Sequence, residues 1–225
     1  MTSQELAQFI DHTQLKPDAP EHALRQCCAE ARTHGFYAVC VQPCWVSLAA
    51  ADLEDSGVRV GTVIGFPLGT NAPAVKAFEA EEALRHGADE LDMVLNISAL
   101  KTEAWNALAT DIAGVVAVAE AGGAEVKVIL ECAYLTDAEK RQAAEIVADC
   151  GAAFVKTSTG FGPHGATVED VRLLREVVGN RCGVKAAGGI RDLATALAML
   201  EAGATRLGTS ASLTILAALR ATADG

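Results

Sequence analysis

Aromatic side chains are scarce in this chain, at 4% of 225 residues, so its 51% of apolar residues are mostly Ala, Val, Leu and Ile. A core of that kind suits helices packed against a parallel sheet. No segment approaches the roughly 18 consecutive apolar residues of a membrane-spanning helix. The N-terminus, Met1-Thr2-Ser3-Gln4-Glu5, has neither the basic nor the apolar region of a secretory signal. A soluble, cytoplasmic protein is the expectation. Positive charge is in deficit, with 18 Lys and Arg against 29 Asp and Glu and a formal net charge of −11. That balance argues against nucleic acid or an anionic membrane as the main partner, and leaves room for a small anion in a locally positive pocket. A disulfide framework is missing too. The seven cysteines are odd in number and scattered through apparent helices and strands, so they read as reduced thiols.

The dinucleotide fingerprint of an open doubly wound sheet is also absent, since Gly160-Phe161-Gly162 runs straight into Pro163. The sequence has an internal repeat instead. Four segments, HGFYAVC, HGADELD, CGAAFVK and AGATRLG, each place a glycine suited to a helix C-cap ahead of a strand-like run. The fifth residue after that glycine is Cys40, Asp92, Lys156 and Gly208 in turn. Equal spacing from equal caps implies one facing and one depth for all four. Strand-like runs fall at 9–13, 38–42, 60–66, 90–94, 127–131, 154–157, 183–187 and 206–208. Helical patterns fall at 20–34, 44–56, 72–86, 103–121, 136–150, 167–178, 191–202 and 210–222. Eight strand-helix units predict a single α/β domain over 1–225, a (β/α)8 TIM barrel.

In a closed barrel, alternate strand residues face the interior or the helices, and neither side is open water. Three polar side chains therefore need a reason. Lys156 in Phe154-Val155-Lys156-Thr157, Lys185 in Gly183-Val184-Lys185-Ala186 and Asp92 in Glu90-Leu91-Asp92-Met93 all project into one cavity, toward the C-terminal strand ends where barrel active sites lie. The two lysines fall on adjacent strands. With their nitrogens about 6 Å apart at an effective dielectric near 20, repulsion of roughly 3 kcal/mol takes one of them down by about two pKa units, and burial adds to that. A neutral lysine there attacks a carbonyl to form a Schiff base, whose iminium is an electron sink, while Asp92 and Lys185 move the protons. The plainer alternative is a buried Lys-Asp ion pair. Two further runs, Ala187-Gly188-Gly189-Ile190-Arg191 and Gly208-Thr209-Ser210-Ala211-Ser212, offer backbone N–H groups after the seventh and eighth strands, where barrels commonly hold phosphate.

Together, VKTSTGF around Lys156, GVKAAGGIRD around Lys185, ELDMVLN around Asp92 and the closing RLGTSAS resemble the deoxyribose-phosphate aldolase family. With Ile10-Asp11-His12-Thr13, VCVQP and VIGFPLG, the resemblance covers nearly the whole chain. It implies a class I aldolase of deoxyribose phosphate catabolism that needs no metal or other cofactor. Lys156 would form the Schiff base, Lys185 would lower its pKa, and Asp92 would relay protons. The implied reaction is the reversible cleavage of 2-deoxy-D-ribose 5-phosphate to D-glyceraldehyde 3-phosphate and acetaldehyde. Phosphate would be held around Thr159, Gly160, Gly188, Gly189, Gly208, Thr209 and Ser210, and a homodimer is allowed. Two features depart from the family. Phe161 stands where some members carry a lysine, which shifts phosphate binding onto backbone donors, with Arg191 near. Some members also end in a tail with a terminal tyrosine, whereas this sequence ends Ala223-Asp224-Gly225 and has tyrosines only at 37 and 134.

Weaker signals complete the reading. Asp11 and Thr13 are expected as substrate hydroxyl contacts near the end of the first strand, and Cys40 is expected to line the pocket or pack in the core. Lys127 is expected to pair with Glu90 nearer the barrel floor and to share a facing with Glu131. Cys40 and Cys44 lack a second ligand pair, and the five histidines have no metal-binding spacing. A phosphosugar-binding barrel without catalysis would keep the glycine loops with no need for two interior lysines. A transaldolase-type enzyme would keep Lys156 with a different donor.

Overall fold

The repeated glycines end four helices in the same way. Gly35, Gly87, Gly151 and Gly203 have φ of 62°, 99°, 79° and 110°, in the left-handed range that glycine enters without strain. In each case the next N–H bonds back five residues, from Phe36 to Ala31, Ala88 to Ala83, Ala152 to Val147 and Ala204 to Met199. That bond closes the helix and turns the chain into a strand.

The computed structural model describes residues 1–223, so Asp224 and Gly225 of the C-terminal end lie outside the described residues. The strands are β1 (Ile10–Gln14), β2 (Ala38–Val41), β3 (Arg59–Ile64), β4 (Glu90–Val94), β5 (Glu125–Ile129), β6 (Phe154–Lys156), β7 (Gly183–Ala187) and β8 (Arg206–Thr209). Each pairs in parallel with the next, and β8 closes on β1. The predicted (β/α)8 barrel is the observed fold. Ten α-helices accompany it among the described residues: α1 (Ser3–Ala7), α2 (Glu21–His34), α3 (Val46–Asp52), α4 (Pro73–Arg85), α5 (Ile97–Lys101), α6 (Trp105–Gly122), α7 (Asp137–Asp149), α8 (Val168–Val178), α9 (Leu193–Glu201) and α10 (Ser212–Ala223). None is long and apolar enough to cross a membrane. The five-residue α1 and α5 escape a periodicity reading because neither completes two turns. Their caps carry them instead, with Thr2 and Glu5 forming a capping box and Asn96 accepting from the Ala99 N–H.

Two sequence expectations shift. The fifth strand stops at Ile129, because Glu131 adopts a φ of 54° and leaves the sheet. Lys127 and Glu131 therefore do not share a strand. The second shift concerns depth. Asp92 lies opposite Lys127, whereas Lys156 lies opposite Ile129 and Lys185. The repeat residues share a facing, but barrel shear lifts Lys156 above the level of Lys127.

Between the inward residues, Leu91, Met93, Val128, Val155, Val184 and Leu207 are fully buried in the core shared with the helices. Each contributes about 1.5–3 kcal/mol by leaving water. A buried ion pair also lies in that layer. Lys76 of α4 donates to Asp111 Oδ2 of α6 at 2.5 Å and to the Val94 carbonyl at 3.0 Å. Lys76→Ala is expected to cost about 3–5 kcal/mol by stranding the Asp111 carboxylate. Lys76→Met with Asp111→Leu should recover most of that loss in denaturant unfolding.

Candidate active site

The site is built on a charged floor. Arg206, the first residue of β8, lies with its Cζ 3.5 Å from the centre of the Tyr37 ring and 5.1 Å from that of Phe154. It donates to Asp11 Oδ1 at 3.0 Å and to Glu90 Oε1 at 3.1 Å. Lys127 donates to Glu90 Oε2 at 2.6 Å, the pairing expected from the sequence, and also to Asp92 Oδ1 at 3.1 Å. Asp11 was expected at the mouth. It is instead buried beneath it, held between Arg206 and Lys185, because its register places it opposite Gly208 and Ala38.

Above the floor, Asp92 gathers two lysines. Its Oδ2 accepts from Lys156 Nζ at 2.7 Å and from Lys185 Nζ at 2.7 Å. The two lysine nitrogens therefore lie no further apart than twice that distance. Burial alone would raise the Asp92 carboxyl, but Lys127, Lys156 and Lys185 outweigh it and hold the group well below the usual carboxylate range. The lysines diverge. Burial lowers Lys156, Asp92 opposes, and Lys185 lowers it further, so its pKa falls below the ordinary lysine value. At Lys185 burial acts in the same sense, but Asp11 and Asp92 overcome it and the pKa rises. A fully buried amine with a weakened hold on its proton thus lies beside one that keeps its charge. Gly208 makes room for them, since a Cβ there would lie 3.2 Å from Lys185 Cε.

Lys156 opens into a cavity of about 480 Å³ at the C-terminal end of the barrel. Of the residues expected to hold phosphate, Thr159, Gly160, Gly188, Gly189, Gly208, Thr209 and Ser210 all line it, and so do Thr13 and Arg191. Gly188 and Gly189 have φ of 83° and 77°, which turns the chain sharply after β7. Thr209 fixes the next loop by donating to the Ile190 carbonyl at 2.6 Å and accepting from the Ala211 N–H at 2.9 Å. Phe161 meets Phe66 edge-on at 5.3 Å between ring centres. Cys40 faces the barrel interior and packs with Leu15, Val63 and Phe66. Burial pushes its thiol up to about 11, so it is a neutral apolar surface rather than a nucleophile.

The roles of four residues in this architecture were not evident in the sequence. Arg206 sits two positions before Gly208 on β8 and shares its facing, so strand periodicity carried the signal. Glu131 accepts from the Thr159 hydroxyl and N–H and so anchors the loop that follows Lys156. His12 faces outward, where Nδ1 lies 2.8 Å from Ser212 Oγ and Nε2 2.8 Å from Glu30 Oε2. This strut ties β1 to α2 and to the start of α10. Gly165 touches the loop after β7, where a Cβ would come within 2.0 Å of the Gly188 carbonyl oxygen.

Residues 6–218 match the profile of the DeoC/LacD family of aldolases. The chain belongs to that family. The deoxyribose-phosphate aldolase of Enterococcus faecalis is 52% identical over 98% of this chain and 99% of its own length. Deoxyribose-phosphate aldolase 1 of Bacillus licheniformis is 54% identical over the full length of both. Among solved structures, the deoxyribose phosphate aldolase of Aeropyrum pernix, described as a tetramer, superimposes with a TM-score of 0.92 at 35% identity, covering 98% of this chain and 93% of that one. In this DeoC/LacD aldolase the contact of Gly165 with Gly188 leaves no room for a side chain. Gly165→Ala is expected to displace the loop after β7 and weaken inorganic phosphate binding on the order of tenfold, about 1.4 kcal/mol, by calorimetry.

Proposed function

We propose that this chain is a deoxyribose-phosphate aldolase that reversibly cleaves 2-deoxy-D-ribose 5-phosphate through a Schiff base on Lys156. One observation carries the reading: the Lys156 amine shares Asp92 Oδ2 with Lys185, and the environment loosens the proton on Lys156 while tightening it on Lys185. Full-length relatives named for this activity support the choice of substrate.

In the cleavage direction, neutral Lys156 attacks C1 of the open-chain aldehyde, and loss of water leaves an iminium. A base takes the proton of the C3 hydroxyl and the C2–C3 bond breaks. Its electron pair moves into the iminium to give an enamine, and D-glyceraldehyde 3-phosphate departs. Protonation at C2 and hydrolysis then release acetaldehyde and the free amine. Asp92, 2.7 Å from the Lys156 amine, and Lys185, 2.7 Å from the same carboxylate oxygen, would relay the protons. The phosphate would rest on the backbone at Gly160, Gly189 and Ser210 with Arg191 alongside, and Thr13 at the mouth would meet a sugar hydroxyl. The setting in this reading is cytoplasmic catabolism of deoxyribose phosphate. The assembly we attach to it is a homodimer, with exposed Leu68 and Phe78 as apolar surface available for it.

Borohydride reduction in the presence of 2-deoxyribose 5-phosphate is expected to leave a two-carbon adduct on Lys156, read by peptide mass. Lys156→Leu should lower kcat by on the order of 10⁴-fold or more while keeping the fold. The absence of any lysine adduct in folded protein would leave a phosphate-binding barrel as the better account. Lys185→Leu removes a neighbouring positive charge, so Lys156 should hold its proton to higher pH and the pH profile of trapping should move to the alkaline side.

A further inference from the structure

The barrel interior contains more basic than acidic groups. Asp11, Glu90 and Asp92 face Lys127, Lys156, Lys185 and Arg206, and none of the seven is more than 4% exposed. Of the groups nearby, Glu131 is buried but engages the Thr159 hydroxyl and N–H and pairs with none of the four bases, and Lys16, Glu30 and Arg191 line the cavity above Lys156 rather than the floor. Arg59 and Glu125, partly exposed at the lower rim, pair with each other at 3.4 Å, with Arg59 also 3.9 Å from Glu90. Cys40 faces the set as a neutral thiol. Three carboxylates thus meet four bases, and a buried site tolerates excess charge poorly.

Which base gives up its proton follows from the contacts. Lys127 reaches Glu90 and Asp92, and Lys185 reaches Asp11 and Asp92. Lys156 has one oxygen of Asp92, which it shares. Arg206 engages Asp11 and Glu90, and a guanidinium does not lose its proton in a protein. A fixed charge on the floor therefore claims two of the three carboxylates in part, and the shortage falls on the least-held lysine.

We propose that Arg206 is a positioning residue that keeps Lys156 neutral and nucleophilic, by occupying Asp11 and Glu90 with a charge that cannot titrate. The proposal rests on the Schiff-base reading above and adds a residue to it. Arg206 lies beside Lys185, which lies beside Lys156, so the influence crosses two strand spacings, about 10 Å in the sheet direction. Without the guanidinium, three lysines face three carboxylates and Lys156 can keep its proton. Without the Glu90 carboxylate, the positive excess grows and Lys156 loses its proton more readily.

The test is the pH dependence of borohydride trapping of Lys156 with acetaldehyde. Arg206→Met is expected to move the midpoint about one pH unit to the alkaline side, the size of one charge at this range with an effective dielectric near 20. Glu90→Gln should move it to the acid side by at least as much. The double variant should return close to the wild-type midpoint, since the two charges cancel. A merely structural role would not give opposite shifts that compensate. Unchanged midpoints in both single variants, or shifts of the same sign, would overturn the proposal. If Arg206→Met does not fold, Arg206→Gln, which keeps a donor toward Asp11 and Glu90 without the charge, is read in its place: an alkaline shift supports the assignment, and an unchanged or acid midpoint defeats it. Wild-type protein that is not trapped at any pH would bring down the Schiff-base reading itself, and so is told apart from failure of the Arg206 assignment.

Discussion

A single carboxylate holds the centre of this molecule together. Asp92 accepts from lysines on three strands, with Lys127 on one oxygen and both Lys156 and Lys185 on the other. Buried ion pairs of this kind add little net stability, because desolvation takes back most of the attraction. They are demanding about geometry, however. A slip of one residue in β4 would turn Asp92 toward the helices and Leu91 into the cavity, so the charged interior also pins the strand register. The fold and the chemistry thus depend on the same contact.

The rest of the site follows as levels along the barrel axis. At the bottom, Arg206 between Tyr37 and Phe154 closes the interior with aromatic faces and a charge. At mid-height the carboxylates decide which amines keep their protons. At the top the chain leaves the strands through turns that side chains elsewhere hold in place: Glu131 for the loop after β6, Thr209 for the loop after β8, and His12 for the start of α10. Burial lowers the His12 pKa against the pull of Glu30. These supports lie outside the cavity's centre, yet they set where its backbone donors point.

Much of this was legible in the residues. The glycine-capped repeat gave the strand starts, and period-two alternation gave the facing of Lys156, Lys185 and Asp92. What the sequence did not carry was the relation between distant strands. Asp11 was expected near the end of the first strand, whereas it is the second residue of β1, and closure of β8 on β1 sets it beneath Lys185. Depth was misjudged for the same reason, since shear is a property of the closed sheet and of no single segment. Glu131 looks like a strand residue by alternation, and its positive φ is invisible in its side-chain type. Gly165 looks like an ordinary loop glycine until the neighbouring loop is placed against it.

Alternation along the strands also separates two kinds of change this protein can undergo. Within β4, Glu90 and Asp92 belong to the charged interior while Leu91 and Met93 belong to the layer under the helices. β7 divides similarly, with Lys185 on one side and Val184 and Ala186 on the other. Variation drawn from one set of positions explores chemistry over a nearly constant scaffold, and variation drawn from the other adjusts robustness under nearly constant chemistry. The two can be searched independently and then combined, an evolvability that comes from the pleat of the strand itself.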